Sequence, residues 1–172
     1  LAPDPRQNAA EAIVQVYAAP TYGWKGRVAV HPWIIFKRAG ETRYRRFEVI
    51  SWGSGDKVRL NSNEPDGYWY GAKPRLLVEH RGAEAEAMIP HIMAAIQSYP
   101  WPNTYRAWPG PNSNTFIAHI GREVPELRRR RPEDRRRGAA QPIPLRPPPR
   151  NRRPLGRGRR LERLGGCLLY TS

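Results

Sequence analysis

Cysteine is almost absent from this chain: the single one, Cys167, sits five residues from the end. That excludes a disulfide framework, a thiolate metal centre and a cysteine nucleophile in any part able to fold. Long hydrophobic runs are missing as well, and nothing approaches the ~20 apolar residues of a membrane span. There is no P-loop, no GxGxxG, no HExxH and no paired-carboxylate pattern. His80, His91 and His119 share no ligand spacing, so neither a metal nor a cofactor is expected. Lysine disappears entirely after residue 73, and past residue 127 the only aromatic is Tyr170.

Positive charge is abundant, at +15 over 172 residues, but it is unevenly placed. Residues 1–127 carry 15 Lys+Arg against 12 Asp+Glu, whereas residues 128–172 carry 15 Arg against 3 acids. The part able to build a core is therefore nearly neutral. The basic part, RRRRPEDRRRGAAQPIPLRPPPRNRRPLGRGRRLERLGG, lacks core-forming residues and is expected to be disordered. Arg, Pro, Gly and Ala are residues of GC-rich codons, and the closing CLLYTS resembles one reading frame of a sequencing-library adapter. The tail at 128–172 thus reads as a frameshifted, adapter-terminated stretch. As native protein it would be an arm binding nucleic acid by phosphate neutralisation. The chain begins at Leu1, which leaves room for a preceding signal or anchor.

Residues 1–10 form a proline-punctuated lead-in, and residues 11–127 read as one small α+β domain with an antiparallel sheet and two helices. AIVQVYAA (12–19) and RVAVHPWIIFKRAG (27–40) are rich in β-formers; Pro32 in the second suggests an edge or a bulge. RYRRFEVISWG (43–53) alternates and pairs with it as a hairpin. Arg43, Arg45 and Arg46 on it read as a solvated strand face. VRLN (58–61) is a short strand, and RLLVEH (75–80) is open between strand and helix approach. AEAEAMIPHIMAAIQSY (83–99) keeps an i, i+3, i+4 apolar rhythm, with Pro90 expected to kink it. A short strand is expected at Tyr105–Trp108. PGPNSNTF then opens a helix over 113–123, with Asn112 or Ser113 as N-cap and Gly110 supplying a positive φ.

Several of these blocks belong together. AVHPWIIFKRAG, RFEVISWG, PDGYWYGAKPRLL, RGAEAEAMIPHI and YPWPNTYRAWPGPNSNTFIAHIGREVPEL resemble a mainly bacterial family, domain-of-unknown-function family 3750, over about residues 12–127. The resemblance brings no activity. It implies an N-terminal hydrophobic segment and hence a membrane-anchored or envelope location, and a Leu-Pro-rich continuation after VPEL where RRRRPEDRRR stands here. The order of two elements is also similar to circularly permuted papain-like proteins: a His on an early strand, here Val30-His31-Pro32-Trp33-Ile34, and a nucleophile at a later helix start, here Asn112-Ser113-Asn114-Thr115-Phe116, with Ser in place of Cys.

Three functions follow as expectations. The first is an envelope-associated binding or structural module. Its polar cleft lies near His31 and the Asn112–Thr115 turn, is lined also by Gly110, Trp33 and Trp108, and takes a small-molecule or cell-envelope ligand. The second is a hydrolase or acyltransferase with Ser113 as nucleophile, His31 as base and Glu48 orienting the imidazole. Competing with it, Ser113 is a helix cap and His31 a core histidine. The third is nucleic-acid binding through the arginine tail. The rings of PDGYWYG read as exposed, with a few of the aromatics able to line a cleft that stacks sugars or bases.

Overall fold

The computed structural model describes residues 1–21 and 30–128. The turn TYGWKG, the start of the second strand and the arginine tail fall largely or wholly outside them. Five strands appear in chain order: β1 (Ile13–Pro20), β2 (Val30–Lys37), β3 (Arg45–Val49), β4 (Val58–Leu60) and β5 (Arg75–Arg81). They form one sheet ordered β4-β3-β2-β1-β5, with every ladder antiparallel. Helices α1 (Gly82–Gln97) and α2 (Ser113–Glu123) follow, then a 3-10 turn at Pro125–Arg128. The fold is α+β, and no helix among the described residues is long and apolar enough to cross a membrane.

Strand alternation sorts the side chains into two faces. Val14, Val16, Ile34, Phe36, Phe47 and Val49 pack against Met88, Ile89 and Ile92 of α1 and Phe116 and Ile120 of α2. The opposite face carries Ile13, Tyr17, Ala19, Trp33 and Ile35, closed over by Tyr44, Ile50 and Trp69 from loops. This second face also buries Gln15, His31, Lys37, Arg46 and Glu48. Each finds partners: Lys37 Nζ, for instance, donates to the carbonyls of Asn8 and Glu11. Gln15 binds Glu79 and accepts from the Tyr17 hydroxyl.

Pro32 marks neither an edge strand nor a bulge, because β2 lies between β1 and β3. The proline is tolerated because β3 pairs with β2 only over Ile34–Phe36, leaving Pro32 outside that ladder. The register shift lies instead between Val16 and Tyr17, opposite β5. RLLVEH resolves as a strand. Pro90 lies inside α1 on its exposed side, where water can serve the Glu86 carbonyl that the missing N–H leaves unpaired. No strand forms at Tyr105–Trp108. That segment folds back on itself, Arg106 N–H donating to Pro111 O, and Pro109 and Pro111 have no N–H to offer a ladder.

Candidate functional site

His31 lies near the start of β2 and is 5% exposed. Its Nε2 lies 2.8 Å from Glu48 Oε2 on β3. Alternation puts Arg46 and Glu48 on the same face of β3, so Arg46 Nη2 reaches the same carboxylate oxygen at 2.8 Å. Asn63 Nδ2 donates to the other oxygen at 2.7 Å. Burial alone would push the Glu48 carboxyl up, but hydrogen bonds from His31, Arg46 and Asn63 and the Arg46 charge outweigh it. They bring Glu48 down to about 2. The His31 ring is lowered from its ordinary value, chiefly by burial and also by the Arg46 charge, against the pull of Glu48. At neutral pH the pair is thus carboxylate and neutral imidazole. Nε2–H donates to Glu48, which leaves Nδ1 as the ring's free lone pair.

The arginine is held from several sides. Arg46 is 1% exposed, its guanidinium carbon stands 4.1 Å from the Trp33 ring centroid, and Nη1 donates to Glu64 O. Trp33 is fully buried, stacks on Tyr17, and donates its indole N–H to Pro65 O. Arg46 is therefore no part of a solvated strand face. A strand face covered by a loop looks the same in sequence as one facing water. Trp33 likewise forms the back wall of His31 and has no open surface of its own.

Above His31 lies an aromatic stack. The Trp69 ring covers the imidazole at 3.7 Å between centroids and 7° between planes. Trp69 in turn touches Trp52 at 5.5 Å and Tyr70 at 5.3 Å, and Trp52 meets Tyr70 at 5.9 Å. Trp52 and Tyr70 are exposed. Trp52 stands on the loop between β3 and β4, and Tyr70 is presented by a two-residue hairpin closed by Trp69 and Ala72, whose central residues Tyr70 and Gly71 both have positive φ, 47° and 78°. Gly71 takes such a conformation freely; Tyr70 does so at a cost of about 1 kcal/mol or more.

At the other element, Asn112 is the N-cap of α2. Its Oδ1 accepts from the N–H groups of Asn114 and Thr115, and Thr115 Oγ1 accepts from Asn112 N–H. Ser113, at the first helical position, is 4% exposed and takes no part in this capping box. Asn114 Nδ2 donates to Val30 O at 3.1 Å, which ties the start of α2 to the residue before His31. Among the described residues no hydrogen bond joins the Ser113 hydroxyl to His31. Trp108 is 87% exposed on the loop leading to α2.

Gly110 has φ +117°, and a Cβ there would come within 2.8 Å of Thr115 Cγ2. Gly110→Ala is expected to lose about 1–3 kcal/mol, read by urea denaturation with an unchanged slope.

The concavities at residues 2–6 with 42–44 and 64–66, along α2, and beside Trp101 and Thr115 include neither His31 nor Ser113 in their walls. The other buried histidines are structural. His119 Nε2 meets Ala95 O and Ser98 Oγ across the α1–α2 contact, and His80 bonds Glu84 and Leu127 O. No group of three or more His, Cys, Asp or Glu among the described residues could hold a metal ion. Sequence reasoning missed Arg46 and Asn63 as partners of Glu48, Trp69 as the cover of His31 and Trp52 as the ring behind Trp69. Only Arg46 had a local signal, its i, i+2 relation to Glu48.

A family model described as "Protein of unknown function (DUF3750)" matches residues 11–135. The chain belongs to the DUF3750 family. No curated protein and no solved structure matches it. The match to this DUF3750 chain spans both halves of the site, the His31–Glu48 pair and the Asn112–Thr115 turn.

Proposed function

We propose that this DUF3750 domain is a binding module of the bacterial envelope, with its ligand site at the aromatic corner over His31. The observation that carries the reading is the stack itself: a buried Arg46–Glu48–His31 network capped by Trp69, which is continuous with the exposed rings of Trp52 and Tyr70. Burying three ionisable groups is expensive, and an apolar trio of similar volume would serve a core at least as well. An anchored aromatic patch, in contrast, is pre-organised for binding. A ligand at about 100 times its Kd adds about 2.7 kcal/mol of stability. Scanning calorimetry with soluble peptidoglycan digest should therefore raise the melting temperature, and Trp52→Ala should abolish the rise. A digest without effect on either protein would count against the reading.

A second reading, acyl transfer or hydrolysis at Ser113, is favoured by one specific arrangement. The Asn112–Thr115 box leaves the buried Ser113 hydroxyl free of capping, at a helix N-terminus tied through Asn114 to the carbonyl of Val30, the residue before His31. A helix start stabilises developing negative charge, and His31 Nδ1 is the lone pair that could take the proton. A fluorophosphonate probe would label Ser113 by displacement of fluoride. Labelling that vanishes in His31→Ala supports this reading, and no labelling of the wild type ends it.

A further inference from the structure

We infer that Trp52 and Tyr70, braced by Trp69, form a two-walled stacking platform for a neutral sugar ring. This rests on the binding-module reading and names its ligand class. Trp69 is 7% exposed, with one face on His31 and Trp52 stacked against it, so it serves as a brace and not as a contact surface. Trp52 is 47% and Tyr70 61% exposed, and their planes meet at 73°. Two such walls offer one ring face to stack on and one edge to flank a ligand, which suits a molecule with an apolar face and polar rim.

The surroundings exclude the other ligands that use aromatic rings. Base-stacking proteins pair their rings with a positively charged groove. Here the flanking loops, 51–56 and 61–74, carry Asp56, Glu64 and Asp66 against the single cation Lys73. Lys57 and Arg59 fold onto the Trp52 loop, where they donate to Gly53 O and Ser54 O. Acids and bases around the rings balance, three against three, so the rings lack the excess positive charge that a phosphate-bearing ligand would use. A quaternary ammonium ion needs room between the rings of a cage. These rings touch one another at 5.3–5.9 Å between centroids, so no such room exists. Ser51, Ser54 and Ser62 on the same loops are exposed and can bond sugar hydroxyls.

Tyr70 supplies a clean variant, because Tyr70→Gly removes a ring while relieving a backbone that glycine prefers. The full chain is titrated with chitotriose and maltotriose, and in parallel with phosphocholine and AMP, following indole fluorescence and calorimetric heat. The expected result is saturable binding of at least one trisaccharide, with a Kd on the order of 1 mM or tighter. Trp52→Ala and Tyr70→Gly should each weaken it about tenfold, with the Tyr70→Gly circular dichroism unchanged. Sugar binding that neither variant weakens would overturn the platform. Phosphocholine or AMP binding that depends on Trp52, with neither sugar bound, would overturn the ligand class and leave the binding module standing. Failure of all four probes would remove both.

Discussion

Glu48→Gln should destabilise the domain by about 3–5 kcal/mol, because it strips the counter-charge from an arginine that is 1% exposed. Glutamine keeps the shape but replaces one acceptor with an NH₂ group, which then faces the donors of His31 and Arg46. His31 can change tautomer and accept; Arg46 cannot. The pH dependence gives a second readout. Glu48 ionises near 2 in the folded state against 4.5 ordinarily, so between those values the unfolded chain binds a proton that the folded chain refuses. Stability from this group is complete above the ordinary value and is lost as pH falls toward about 2, on the order of 3 kcal/mol in all. The lowered His31 acts in the same direction, its contribution fading once pH drops below the ordinary 6.5. Wild type should therefore weaken steadily in acid. The gap between wild type and Glu48→Gln should narrow between pH 5 and pH 2, measured by urea denaturation. A gap that stays constant over that range would mean the carboxylate is not the arginine's partner.

Trp33→Ala should be as severe, about 3–5 kcal/mol, a melting shift on the order of 10–20 °C. The indole is fully buried, stacks on Tyr17 at 5.8 Å, and supports the Arg46 guanidinium from below. Its removal opens a cavity and also frees Arg46 to move off Glu48, so the two losses should not add. A double-mutant cycle of Trp33→Ala with Glu48→Gln is expected to show coupling of 1 kcal/mol or more. Trp33→Phe keeps a ring under Arg46 but drops the N–H bond to Pro65 O, and should lose only about 1–2 kcal/mol more than a conservative core swap. Equal losses for Ala and Phe would point to the hydrogen bond, and not the packing, as the main contribution.

Much of the architecture was legible from pattern. The β-formers over 12–19, the alternation over 43–53 and the apolar rhythm from Ala85 to Ile96 gave β1, β3 and α1 within a few residues. The PGPNSNTF chemistry located α2, with Asn112 taking the cap because its side chain reaches two N–H groups. Tyr105–Trp108 misled because β-forming residues beside prolines found no partner strand. The site was legible in part. His31 and Glu48 lie on neighbouring strands, close enough in sequence to be paired by a hairpin argument. Arg46 deceived because a strand has two faces and sequence does not say that the loop at Glu64–Pro65 covers the second. Trp69 reaches His31, and Trp52 reaches Trp69, only through the packing of two loops, which no local spacing encodes.

The most direct test of the account is a residue-resolved chemical-shift map of the domain titrated with chitotriose. The account predicts that the largest shifts fall on the indole signals of Trp52 and Trp69, the Tyr70 ring and the His31 imidazole, the last through its stacking on Trp69. Shifts centred instead on Trp101 and Trp108, or along Ile117 and Gly121 of α2, with the His31 corner silent, would contradict it.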